Sequence, residues 1–116
     1  YTTLFRSSKT MKNLNSIDDI KDFIKENKFV MLYFSSDGCS VCDDVLPKLK
    51  ELLKKQPKVV SGHVEIQNIP SVASVFGIFT IPAVIIFLEG KEIVRQARYI
   101  NFLELKEKIQ RFSEFV

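Results

Sequence analysis

Ser36-Asp37-Gly38-Cys39-Ser40-Val41-Cys42 is the stretch on which the reading of this chain turns. It holds both cysteines of the sequence, in a Cys-x-x-Cys spacing. Just before it, Phe29-Val30-Met31-Leu32-Tyr33-Phe34 is an unbroken apolar run of six residues, the pattern of a strand buried on both faces. Just after it, Val45, Leu46, Leu49, Leu52 and Leu53 recur at helical spacing as far as about Lys55, with Pro47 inside the run. The cysteines therefore stand where a strand gives way to a helix. A bridge between them closes too small a loop to restrict the unfolded chain much. The pair points instead to redox chemistry or to half a metal site.

Working outward, Ser16 is a helix cap, with Asp18 and Asp19 in the first turn and an apolar face of Ile17, Ile20, Phe23 and Ile24. Val59 to Ile66 reads as a second buried strand, interrupted by Gly62 and His63. Ile69-Pro70 is expected to open a short helix with Pro70 in its first position, Val72, Val75 and Phe76 facing inward, and Gly77 as its stop. Ala83 to Leu88 is a third strand. Glu89-Gly90-Lys91 is a tight turn from which Glu92 to Arg98 returns antiparallel. Asn101 and Glu104 form a capping pair for a last helix with Phe102, Leu105, Ile109 and Phe112 on its apolar stripe. A short first strand near Lys12 to Leu14 completes an α/β order in which the early strands, separated by helices, should run parallel.

The chain has 116 residues, enough for one core, with 46% apolar and 27% charged residues. Its net charge of +3 is small and its basic residues are interspersed with acids, which argues against a nucleic-acid partner. No apolar run approaches the roughly 18 residues of a membrane span. Residues 1–10 lack the sustained apolar core of a signal peptide and are expected to be a disordered extension or an expression remnant; residues 11–116 are read as one domain.

Three features together resemble the thioredoxin family: the Cys39/Cys42 pair between a buried strand and a helix, Pro47 five residues after Cys42, and Thr80-Ile81-Pro82 before a strand that ends in Glu89-Gly90-Lys91. The resemblance spans about Ile17 to Phe112. It implies a thioredoxin fold, with a central mixed sheet of four or five strands and helices on both faces. It also implies a cytoplasmic, monomeric thiol–disulfide oxidoreductase that reduces protein disulfides. Such a protein needs no cofactor beyond its own redox-active cysteine pair and is recharged by a thioredoxin-reductase-like electron donor.

The resemblance assigns Cys39 as nucleophile, at a helix N-terminus where free N–H groups and the helix dipole favour a thiolate. Cys42 is the resolving thiol that releases the reduced substrate. Ile81, Pro82 and Gly38 are the substrate-binding positions, with a cis Ile81–Pro82 bond and the Ile81 backbone pairing with substrate as an added strand.

Four departures stand out. The family commonly has Trp before its first cysteine and Gly-Pro between the pair; this chain has Gly38 and Ser40-Val41. Many members carry a buried Asp six residues before the first cysteine, where Tyr33 stands here, a poor base near neutrality. His63 falls where a lysine often accompanies that Asp, and is a candidate proton relay to Cys42. Arg98, with Tyr99 beside it, replaces a glycine that leaves room for substrate. Two rival readings follow from these departures: an interaction module with little redox activity, or an oxidant or isomerase of the same fold. A zinc site is a third, but two Cys and one His provide at most three of the usual four ligands.

Overall fold

The computed structural model describes residues 10–116; the expectation for the first nine residues lies outside them. The chain runs β1 (Lys12–Asn13), α1 (Ile17–Glu26), β2 (Phe29–Ser35), α2 (Ser40–Lys54), β3 (Val60–Glu65), α3 (Val72–Phe76), β4 (Ala83–Leu88), β5 (Lys91–Ala97) and α4 (Phe102–Phe112), with short 3-10 turns at Ile66–Asn68 and Ser113–Phe115. The five strands form one mixed sheet in the order β1-β3-β2-β4-β5. The pairs β1–β3 and β2–β3 are parallel, while β2–β4 and the β4–β5 hairpin are antiparallel.

Strand β2 is central and buried at every position. Its side chains alternate between two cores, as a period of two requires. Phe29, Met31 and Tyr33 meet α2 and α4 through Val45, Leu49, Leu53, Leu105 and Ile109. Val30, Leu32 and Phe34 meet α1 and α3 through Ile20 and Val72. An apolar run without alternation is thus the direct consequence of helices on both faces.

The helix ends follow local chemistry. Ser16 Oγ accepts the Asp19 N–H at 3.0 Å at the start of α1. Asn101 Oδ1 accepts the Glu104 N–H at 2.9 Å at the start of α4. The reciprocal half of that capping pair is different from expectation: the Asn101 N–H goes to Gln96 Oε1 at 2.7 Å, and the Glu104 carboxylate accepts from Gln96 Nε2. Gln96, buried at the end of β5, thereby fixes where the last helix begins.

Helix α3 corrects the sequence reading. It starts at Val72, after a turn at Pro70-Ser71, and Val75 is 47% exposed rather than inward. A helix of five residues turns little more than once, and Val72 with Phe76, one turn apart, already occupy the sheet-facing side. Gly77 ends it in the left-handed conformation, φ 68°. Arg95 of β5 then caps the freed carbonyls of Phe76 and Gly77, at 2.9 and 3.2 Å. Strand β5 also ends one residue early, because Arg98 is left-handed, φ 71°.

Gly62 does not break β3; it permits it. A Cβ on Gly62 would sit 2.5 Å from Leu14 Cδ1 and 3.2 Å from Leu32 Cδ2. The bare backbone lets β1 and its buried Leu14 close over the sheet. We expect Gly62→Ala to destabilise the fold by about 1–2 kcal/mol, as overpacking outweighs the backbone entropy gained. Urea denaturation checks this; an unchanged or higher midpoint would contradict the close-approach reading.

Candidate active site

Strand β2 delivers the chain to one end of the sheet, and Ser36–Gly38 turn it into α2. Gly38 has φ 79°, a left-handed conformation that glycine adopts without a Cβ penalty. Cys39 then occupies the N-cap of α2 in extended conformation. Its sulfur stands where a serine or aspartate oxygen commonly caps a helix: Cys39 Sγ accepts the Cys42 N–H at 3.1 Å. Cys39 and Cys42 are joined by a disulfide with their Cα atoms 5.2 Å apart, the separation that neighbouring turns of one helix start provide.

The two sulfurs differ in access. Cys39 is half-buried and borders open surface, whereas Cys42 is 2% exposed and packs in the core with Val45 and Leu49. Once the bond is reduced, the helix N-terminus favours negative charge on the Cys39 sulfur, through the Cys42 N–H and the summed peptide dipoles. Asp43, in the first turn of the helix, and Asp44, just after it, are both exposed.

Tyr33 is fully buried in β2, and its hydroxyl donates to the Cys42 carbonyl at 2.7 Å. Burial, and secondarily the Asp43 carboxylate, push its pKa up to about 12. It therefore remains a proton donor that anchors the first turn of α2, and is not a base. The sequence reading of a packed ring was right about burial but missed the hydrogen bond.

His63 stacks on Tyr33 with ring centroids 5.3 Å apart, and its Nε2 lies 2.6 Å from Ser35 Oγ. It makes no hydrogen bond to the Cys42 sulfur; instead both border one cleft of about 180 Å3, with Ser35, Gly38 and Leu46 also in its wall. Burial holds the His63 pKa below its usual value, Glu65 pulls the other way, and Lys50 adds to the lowering. Ser35 was missed by sequence reasoning, which ended the strand at Phe34. The only available signal was a polar residue closing an apolar run.

The register Phe34↔Ala83↔Ala97 places the ends of β2, β4 and β5 together. Ile81 and Pro82, at the start of β4, thus share the sheet end that carries Gly38 and Cys39. The Ile81–Pro82 bond is cis. The Pro82 carbonyl accepts the Arg98 N–H at 2.8 Å. Neither the N–H nor the C=O of Ile81 finds a backbone partner among the described residues. No group of three or more potential metal ligands occurs among the described residues.

Comparison with known proteins agrees with this geometry. The thioredoxin family model matches residues 10–111. The thioredoxin-like protein YdfQ of Bacillus subtilis is 39% identical over 103 residues, covering 89% of this chain and 92% of that protein. A mutant thioredoxin from Halobacterium salinarum superposes with a TM-score of 0.84 at 19% identity, over 95% of this chain and 96% of that one. Fasciola hepatica thioredoxin gives 0.79 at 27% identity, over 87% and 98%. With the disulfide formed between Cys39 and Cys42, these likenesses disfavour a merely vestigial cysteine pair. By sequence, fold and cysteine geometry, the chain belongs to the thioredoxin family and is a thiol–disulfide oxidoreductase.

Proposed function

We propose that the protein is a reductant of protein disulfides, working as a monomer in the cytoplasm and recharged by a thioredoxin-reductase-like donor. The observation that carries this reading is the asymmetry of the pair: an accessible Cys39 at a helix N-cap and a buried Cys42. The Cys39 thiolate attacks one sulfur of a substrate disulfide. That bond breaks, a mixed disulfide forms, and the departing substrate thiolate takes a proton. Cys42, deprotonated, then attacks Cys39 Sγ. The second substrate thiol leaves, and two electrons have passed from the protein to the substrate. The donor's dithiol reverses the change in the protein. The cytoplasmic assignment follows from the resemblance to thioredoxins and goes with the reductant reading.

Gly38, Ile81 and Pro82 form the substrate-binding rim in this reading. The unpaired N–H and C=O of Ile81 are free to bond an extended substrate segment beside Cys39. His63 takes the Cys42 proton through water in the shared cleft, which is roomy and polar enough to hold it. Its lowered pKa supports that role, since a neutral imidazole is the accepting form.

The reduction potential, measured by equilibration in glutathione buffers with mass readout, decides the direction. A value near the roughly −270 mV established for thioredoxin supports a reductant; one between about −180 and −120 mV makes the protein an isomerase or oxidant. Cys39→Ser should abolish exchange, and Cys42→Ser should accumulate mixed disulfides visible by mass. Turnover of Cys42→Ser at the native rate would rule out the two-thiol route.

His63→Gln should slow release of the mixed disulfide about a hundredfold at neutral pH, the low end of proton-transfer effects. The same histidine leaves a mark on stability. Its folded pKa is below the unfolded value of about 6.5, so stability present above that pH is lost as the pH falls through the folded pKa. Urea titrations at pH 7.5 and 5.5 should show that loss in the native protein and a flatter profile in His63→Gln. A native slope matching that of the variant would remove His63 from the account.

A further inference from the structure

We propose that Arg98 is a specificity-determining residue of the exchange reaction, favouring substrates with an Asp or Glu close to the reacting cysteine. The proposal rests on the reading of Ile81 as the place where an extended substrate segment lies.

The turn after β5 is held against that place. Ala97 is in register with Ala83, the Arg98 N–H bonds the Pro82 carbonyl at 2.8 Å, and the Tyr99 N–H bonds the Ala97 carbonyl at 2.9 Å. The turn thus cannot swing away from the cis-proline without losing these bonds. Arg98 sits in it at φ 71°, a conformation that disfavours every side chain with a Cβ and that glycine would adopt freely. Side chains held in such regions tend to gather at ligand-contact points.

The guanidinium is exposed and has no hydrogen-bond or ion-pair partner among the described residues. Arg95, by contrast, is engaged by Glu92 and two backbone carbonyls. Next to Arg98, the Tyr99 ring is 83% exposed, and Phe79, on the approach to the cis-proline, is 82% exposed. A substrate segment along Ile81 would run beside the β5 turn that carries Arg98. A carboxylate is the group that an unpaired guanidinium, carried on a turn whose backbone is held, recognises best, through two parallel N–H···O bonds. Tyr99 adds a flat apolar surface for the neighbouring side chain.

The test uses the reduced Cys42→Ser protein and three peptides. Each peptide is closed by one internal disulfide, and they are identical except that the residues flanking one cysteine are Asp, Ser or Lys. Attack by Cys39 breaks the peptide disulfide, forms the mixed disulfide and frees the other peptide thiol, so the initial rate is read by mass.

The acidic-to-basic rate ratio should fall about two- to fivefold in Arg98→Gly, the effect of one exposed ion pair. It should fall further in Arg98→Glu, and the difference should shrink as salt is raised. Arg111→Glu, an equal change of net charge on α4, should leave the ratio unaltered. If the Arg98 variants keep the native ratio, or Arg111→Glu shifts it as much, Arg98 does not select substrates. Failure to trap even the Ser peptide overturns the reductant reading itself, and this proposal with it.

Discussion

Burial of β2 on both faces is the constraint from which the site follows. A strand flanked by β3 and β4 and covered by helices above and below has little freedom to slide or tilt. A slip of one residue would exchange its two cores, placing Phe29, Met31 and Tyr33 against α1 and Val30, Leu32 and Phe34 against α2. The exit point of the chain toward Cys39 is therefore set by the packing of six large apolar side chains. The Cys39 sulfur inherits its position from the doubly covered central strand, through a loop of only three residues.

At that exit, one local geometry performs two tasks. The N-cap of α2 needs an acceptor for a free N–H, and a Cys39 thiolate, in the proposed mechanism, needs a partner for its negative charge. Cys39 Sγ meets both through the Cys42 N–H. On the inner side, Tyr33 ties the Cys42 carbonyl to β2, so the helix start is fixed to the strand that precedes it. Where a carboxylate would supply a buried base, this chain has a phenol whose pKa is pushed up and an imidazole whose pKa is held down. The second of these is bonded to Ser35 across the parallel β2–β3 pair. Burial drives both shifts, and it acts in opposite directions because the charged form is the deprotonated one for tyrosine and the protonated one for histidine.

Much of the architecture was legible from local rules. The caps Ser16 and Asn101, the stop at Gly77, the turn at Glu89-Gly90 and the doubly buried β2 each rest on contacts within a few residues or on simple periodicity. The errors came where a distant partner intervened. Helix α3 begins at Val72 because the sheet accepts one turn of it, and neither Pro70 nor its neighbours encode that limit. Gln96 supplies the capping bond that Glu104 was expected to make. Gly62 looked like a defect in a strand until Leu14, 48 positions earlier in the chain, was found against it.

The cysteine spacing, the helix start after Gly38 and the proline at position 82 are properties of the sequence by itself. They determined the family and the kind of chemistry, because a thiol pair on one helix turn depends only on local backbone geometry. Tertiary structure decided what covers Cys42, side chains drawn from α2 and the sheet. It also decided that His63 meets Ser35 and Tyr33, and that the Arg98 turn is bonded to Pro82. These contacts join residues brought together only when the sheet forms, and neither spacing nor composition carries the distances on which their chemistry depends.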